Sequence, residues 1–430
     1  MPLLAGLASV MVLPSAGMAV DAAPSPGANR TVRTLSLSEV VGLAASRNRD
    51  IAIARGAVSA AEADNLAARA RPNPALSLGT SGFDPRHPGS GSLFNKPMDS
   101  VVQLSQLFER GNKRELRDRI TRIGIDAARD DLAETSRRQT LAVSLAFYDL
   151  LQAQGRVSIA DETIALFAKT VAAARLRLEA GDISPTDLSR IKVDELRAQN
   201  ERRIAMTDRD RAREVLAYLI GEQAPDVLLA AEDAWPSYAA GAGDESTLDE
   251  TSLDERPDVR AARRRVDAAD HARELARALR TRDITVGVQY ERYPTQIQNN
   301  TIGVGVSLPL FLNYGFEGEV RRSEADRQIA LDYLERTRSA ALAELRRAGA
   351  ELTGARDRIR RFDDELLKQA VRAADAAEFA YRNGALGVLD LLDARRVLYA
   401  TRVDAVDARA DYARALASWQ AARQQTGNVR

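Results

Sequence analysis

Asp390 and Asp393 stand three residues apart in Val388-Leu-Asp-Leu-Leu-Asp-Ala-Arg-Arg-Val-Leu-Tyr399. On a helix that spacing puts both carboxylates on one face. Such a pair can attract a cation, although an aspartate near a helix N-terminus is also favoured by the macrodipole alone. Little else in the chain offers chemistry. There is no cysteine, hence no disulfide, thiolate nucleophile or Cys-ligated metal. The two histidines, His87 and His271, lie far apart in the pattern, which speaks against a metal site. No nucleophile elbow, P-loop or HExxH motif is present. The chain therefore reads as a non-enzyme with no cofactor or metal. Lys plus Arg and Asp plus Glu both total 61, for a net charge of +0. Nucleic-acid binding, which calls for a basic excess, is disfavoured. The run Arg263-Arg264-Arg265 reads as a solvated helix face.

The stretch holding the two aspartates begins at a turn, Gly384 to Leu391. An upstream stretch, Gly181 to Leu188, matches it at an offset of 203: Gly181 on Gly384, Asp187 on Asp390, Leu188 on Leu391. Ser184 and Gly387 occupy the same place in the two turns, and Pro185 suits the first turn of a returning helix. Each turn lies between long helical patterns and reads as the tip of a helical hairpin. The first rod runs from about Asn112 to Ala180 without a proline, about 100 Å at helical rise. A helix that long needs partners along its apolar stripe. The second rod is expected from about Gly318 to Asn383, with a partner from about Val388 to Gln424.

Ahead of each rod come a capping-box pattern, a helix and two alternating segments. Ser36-Leu-Ser-Glu39 opens a helical pattern that reaches Arg71, and Ser252-Leu-Asp-Glu255 is expected to open its counterpart. Strands are expected at about 75–83, 100–108, 283–292 and 301–311. Ile284, Val286 and Gly287 match Leu76, Leu78 and Gly79 at an offset of 208, and Leu310-Phe311 matches Leu107-Phe108 at 203. The drop of five is a shorter inter-strand loop in the second copy. The order α-β-β-α-α thus occurs twice, a duplication with repeats at 36–221 and 252–430. Residues 222–251, acidic and rich in Pro and Gly, form an irregular crossover, and 23–35 reads as a linker. Residues 1–22 resemble a secretory signal peptide, although no Lys or Arg precedes the apolar run.

No helix pattern after residue 22 is apolar enough to span a membrane, so insertion would have to use strands. Val102 and Leu104 alternate with Gln103 and Ser105; Ile302, Val304 and Val306 alternate with Gly303, Gly305 and Ser307. That is a lipid-out, lumen-in pattern. Four strands in two separate hairpins do not make a stable soluble sheet, and a closed barrel shared between copies would satisfy their edges. Tyr290, Tyr293 and Phe83 at strand ends suit an aromatic girdle.

The duplicated order, the GDxxxxDL-type tip and the run Val388 to Tyr399 resemble the TolC-type outer-membrane efflux factors, nearest the CzcC/CusC-like branch. The resemblance covers about Leu35 to Gly427. It implies a homotrimer in the outer membrane, with a twelve-stranded barrel continued by a long periplasmic helical barrel. It implies a passive duct, lacking chemistry of its own, for metal cations or drugs. An inner-membrane pump of RND type and a periplasmic adaptor would deliver them. On that resemblance Asp390 and Asp393 become a ring at the periplasmic entrance, and the tips become adaptor-docking sites through Gly181, Ser184, Asp187, Leu188, Gly384, Gly387 and Leu391. The absence of cysteine removes the lipid-modified N-terminal Cys of many members. Two alternatives stay open: the channel of a type I protein secretion system, and a poreless periplasmic coiled-coil adaptor. An adaptor would carry one hairpin flanked by β-rich domains, against the two found here.

Overall fold

The structure, a computed structural model, describes residues 31–82, 86, 98–222, 224, 227–238, 250–293 and 300–423. The signal segment, Phe83, His87 and residues 424–430 lie outside the described residues. Ser36 caps α1 (Leu37–Arg47): its hydroxyl accepts from the Glu39 amide at 3.4 Å, and the Glu39 carboxylate accepts from the Ser36 amide at 2.8 Å. The helical pattern from Ser36 to Arg71 is not one helix. It breaks at Asn48, and α2 (Arg49–Arg69) starts anew there. The Asn48 side-chain Oδ1 accepts from the backbone amides of Asp50 and Ile51 at 2.9 and 3.2 Å, while its side-chain Nδ2 donates to the Leu219 carbonyl at 2.9 Å. An N-cap used across the fold overrides the local periodicity.

Strands β2 (Ala75–Ser81) and β3 (Asp99–Phe108) follow, then α3 (Lys113–Glu179, 67 residues) and α4 (Pro185–Ile220). The linker and crossover expectations need correction. Thr31–Leu35 is a strand, β1, paired in parallel with β4 (Val227–Ala231). Both are five residues long, too short for a period to register in sequence. Leu35, Leu229 and Ala231 bury against Phe147, Leu150 and Ile220. Trp235 stacks on Tyr148 at this layer, with centroids 6.4 Å apart.

In the second half the pattern at Ser252–Glu255 does not open a helix. It falls in a 3-10 turn, Glu250–Glu255, and α5 (Pro257–Ala278) starts with Pro257 in its first turn. Strands β5 (Ile284–Arg292) and β6 (Asn300–Ser307) follow. β6 stops short of 311 because Pro309 cannot donate to a ladder. The expected single rod is interrupted: α6 (Glu317–Arg361) passes through a π-turn at Phe362–Leu366 into α7 (Leu367–Arg382). Asp363 in that turn accepts from Arg409 of α8 (Val388–Arg423) at 2.9 Å. A π-turn keeps every residue helical, so apolar periodicity does not reveal it.

The two hairpins are not separate. β3 pairs with β5, giving one antiparallel sheet in the order β2-β3-β5-β6. The helices pack side by side below it, with α3 contacting α2 and α5 along its upper part and α4 and α8 along its lower part. No described helix is long and apolar enough to cross a membrane. The Arg263–Arg265 run is exposed, as a solvated helix face should be, and its members also meet carboxylates: Arg263 pairs with Asp254 at 3.0 Å, while Arg264, 4.0 Å from Asp130, and Arg265, paired with Asp131, face α3.

The duplication also repeats a joint between helix ends. Asn48 holds the end of α4 through Leu219; at the matching offsets Arg256 holds the end of α8, its guanidinium donating to the Ala422 carbonyl at 3.2 Å. Arg256 is 2 % exposed and also bonds Asp258 at 2.9 Å and Glu344 at 2.8 Å. Arg137, equally sequestered, donates to Ala421 at 3.1 Å and to Glu344 at 3.3 Å. Burial alone would raise the Asp258 and Glu344 carboxyls, but the hydrogen bonds from Arg256 together with the charges of Arg256 and Arg137 hold both below the ordinary carboxylate range.

Candidate functional site

Both hairpin tips close in the same way. α3 ends with Gly181 at φ 82°, and the Asp182 amide donates back to the Arg177 carbonyl at 2.8 Å. α7 ends with Gly384 at φ 74°, and the Ala385 amide donates to the Ala380 carbonyl at 2.9 Å. Only glycine adopts this left-handed cap without strain. The fold brings the two tips together over one apolar cluster. Phe167, Val171 and Ala174 of α3, Ile191 of α4, Tyr381 of α7, and Val388, Leu391 and Leu392 of α8 make its core. Leu391 is fully buried in this cluster and Leu188 packs half-buried against the cluster, so each tip contributes a leucine to the same apolar contact. Gly181, Ser184, Gly384 and Gly387 stay exposed.

The two matching aspartates differ in what they do. Asp187 is engaged in a capping box: its amide donates to the Ser184 hydroxyl at 3.2 Å, and its carboxylate accepts from the Ser184 hydroxyl at 2.8 Å. At the second tip Gly387 replaces the serine, and Asp390 has no such partner. Asp390 and Asp393 are both exposed, and neither meets a cation among the described residues. The arginines on the same helix turn elsewhere. Arg396 bonds the buried Asp194 of α4 with both distances at 2.8 Å, Arg395 reaches Glu378 of α7 at 3.3 Å, and Arg402 reaches Glu162 of α3 at 3.1 Å. This leaves two uncompensated carboxylates on the open side of α8. His271 lies far from them and faces Glu274 at 3.2 Å.

The sheet carries the second functional surface. Its register places Leu76 beside Leu104, Leu104 beside Val288, and Val288 beside Val304; the next row is Leu78, Val102, Tyr290 and Ile302. One face is thus apolar across all four strands. It is also open: Leu78, Ile302 and Val304 are 73, 77 and 74 % exposed. The other face holds Ser77, Gln103, Ser105, Gln289, Thr301 and Ser307, with Gly287, Gly303 and Gly305 between them. An apolar face of this extent in water would be an aggregation surface; against acyl chains it is satisfied. Tyr290 donates to Asn300 at 2.8 Å near the sheet's far end, and Tyr293 bonds Glu291 there.

The model of the family described as outer membrane efflux protein matches residues 40–222 and 248–423. The chain belongs to that family. Among its relatives is the cobalt-zinc-cadmium resistance protein CzcC of Cupriavidus metallidurans, 27 % identical over 371 residues, covering 86 % of this chain and 85 % of the relative. The pyoverdine export outer membrane protein OpmQ of Pseudomonas putida is 26 % identical over 392 residues, covering 84 and 80 %. Among solved structures, CusC superposes with a TM-score of 0.79 at 18 % identity, covering 90 % of this chain and 92 % of CusC. VceC of Vibrio cholerae gives 0.72 at 19 % identity, covering 90 and 96 %. The expected TolC-type family and its fold are therefore met. The open apolar side of the β2-β3-β5-β6 sheet is a surface that suits the lipid contact an outer membrane efflux protein makes. The sequence indicates this face strand by strand, but the cross-strand register that makes it continuous comes only from the structure.

Proposed function

We propose that three copies of this chain close their four-stranded sheets edge to edge into one barrel, and that the helices continue it as a periplasmic duct for efflux. The observation that carries this reading is the sheet. Among the described residues β2 and β6 each have one neighbour, and between them lie two full rows of apolar residues. A lone sheet of four strands leaves two edges unpaired, whereas closure between copies removes them. The duct is passive and is fed by an inner-membrane pump, of RND type, through a periplasmic adaptor. Exposed Gly181, Ser184, Gly384 and Gly387 permit close backbone approach by that adaptor at the tips. Asp187 braces the first tip, while Leu188 and Leu391 hold the tips in register.

Asp390 and Asp393 form the entrance ring, with six carboxylates around the threefold axis. Such a ring concentrates cations and repels anions. Metal cations are accordingly the favoured cargo, in line with the resistance named for the CzcC relative. The test is conductance of the purified protein in planar bilayers. The native protein should conduct and be blocked by multivalent cations from the periplasmic side, and Asp390→Ala with Asp393→Ala should abolish the block. Native-like block in the double variant would refute the ring, and a protein that never conducts would refute the duct.

A further inference from the structure

Exposed apolar residues continue past the end of the sheet. Ile302, Val304 and Val306 alternate along β6, and the same parity continues past Ser307 through Leu308, Leu310 and Leu312, which are 46, 63 and 82 % exposed. The equivalent connection in the first half, residues 109–112, is short and carries no such series. The longer connection is held by its own side chains. The Tyr314 hydroxyl accepts from the Gly318 amide at 2.8 Å and donates to Glu319 at 2.7 Å. Phe316 sits at φ 62°, a conformation a bulky residue rarely adopts, and its ring meets Phe311 edge-on with centroids 5.0 Å apart.

Two guanidiniums flank this segment. Carrying the β3–β5 register two residues past the Phe108–Ile284 pair sets Arg110 opposite Arg282. Arg282 lies over the Phe311 ring at 5.8 Å. Both arginines are exposed, and neither guanidinium meets a carboxylate among the described residues, although the Arg110 backbone amide donates to Asp283 at 2.9 Å. The nearby acids are taken: Asp283 by Lys113 at 2.9 Å and Glu109 by Arg117 at 2.7 Å. In a chain whose charges balance, these two cations side by side await an anion.

We propose that residues 308–316, with Arg110 and Arg282, anchor the protein to the periplasmic leaflet of the outer membrane. Leu308, Leu310 and Leu312 enter the acyl boundary, and the two guanidiniums hold the phosphate of an anionic phospholipid. The anchor rests on the lipid-facing reading of the sheet, with which it is continuous. Apolar residues beside arginines whose heads reach the phosphate layer are what an interfacial contact requires.

Because the chain has no cysteine, single labels can be placed freely. Leu310→Cys, Val304→Cys and Ser184→Cys, each carrying an environment-sensitive fluorophore, are reconstituted in vesicles of phosphatidylethanolamine and phosphatidylglycerol. Nitroxide lipids then act as quenchers. Val304 should be quenched by deep nitroxides, Leu310 by shallow ones, and Ser184 by neither. Quenching at Val304 without quenching at Leu310 overturns the anchor and leaves the lipid-facing sheet standing; no quenching at either overturns both. In the second arm, Arg110→Gln with Arg282→Gln should lower retention of phosphatidylglycerol about tenfold or more, with the trimer intact on native gels. Unchanged retention, or displacement of the lipid by excess inorganic phosphate, overturns the headgroup site.

Discussion

Arg256→Met tests the idea that a buried ion cluster joins the two long helical runs of the second half. The native guanidinium makes hydrogen bonds of 2.9 and 3.1 Å to Asp258, 2.8 Å to Glu344 and 3.2 Å to the Ala422 carbonyl. Methionine fills much of the volume but removes all of them. Glu344 keeps Arg137, whereas Asp258 keeps only the Val259 amide at 2.9 Å. Stranding one ion of a buried pair costs about 3–5 kcal/mol, and the surviving Arg137 contact places the expected loss near the lower end. The assay is denaturant unfolding of the helical circular-dichroism signal in detergent at several pH values. In the native protein the carboxyls of Asp258 and Glu344 are depressed. Their contribution is therefore complete above the unfolded carboxylate range and is lost as pH falls through the lower, folded values. In the variant, burial without the arginine pushes Asp258 upward, so protonation relieves it at a higher pH. The gap between native and variant should thus narrow as pH falls from 7 towards 4. Adding Asp258→Asn should recover more than half of the loss. A loss below about 1 kcal/mol at pH 7, or a gap that widens on acidification, would refute the argument.

The first-half joint gives a matching prediction: Asn48→Ala should cost about 2–3 kcal/mol in the same unfolding assay, since it removes an N-cap and leaves the Leu219 carbonyl unpaired. Glycine replacements should separate turn strain from crowding. Gly181→Ala at φ 82° meets nothing within 4 Å and should cost about 1 kcal/mol, whereas a Cβ at Gly111, φ 74°, would fall 2.8 Å from Thr281. Gly111→Ala should therefore cost at least about twice as much and lower trimer yield on native gels.

What the sequence discloses and what it hides divide along physical lines. The duplication is legible because two offsets, 208 and 203, recur in separate segments. Strand positions are legible because alternation is a local property, and the tips because Gly181 and Gly384 must adopt a left-handed cap. The break at Asn48 is not legible, since its decisive partner, Leu219, lies 171 residues away. The β1–β4 pairing escapes for the same reason. The π-turn at Phe362–Leu366 leaves no trace in an apolar stripe. At the tips, sequence groups Leu391 with exposed glycines although its side chain faces inward, because spacing alone cannot tell which side of an α-helix the neighbouring hairpin covers. The contrast between Asp187 and Asp390 could have been read from Ser184 and Gly387: one aspartate has a hydroxyl partner three residues before it and the other does not.

The two joints differ in how freely their residues can change. Asn48 is an uncharged amide, so a replacement there spoils one cap and one bond and stops. Arg137, Glu344, Arg256 and Asp258 form a linked row of ions, in which removing Arg256 takes the ionic partner from Asp258. The amide joint can drift by single steps, while a change at Arg256 calls for a matching one at Asp258. Of the two repeated halves, the second is the less free to diverge where its helix ends meet.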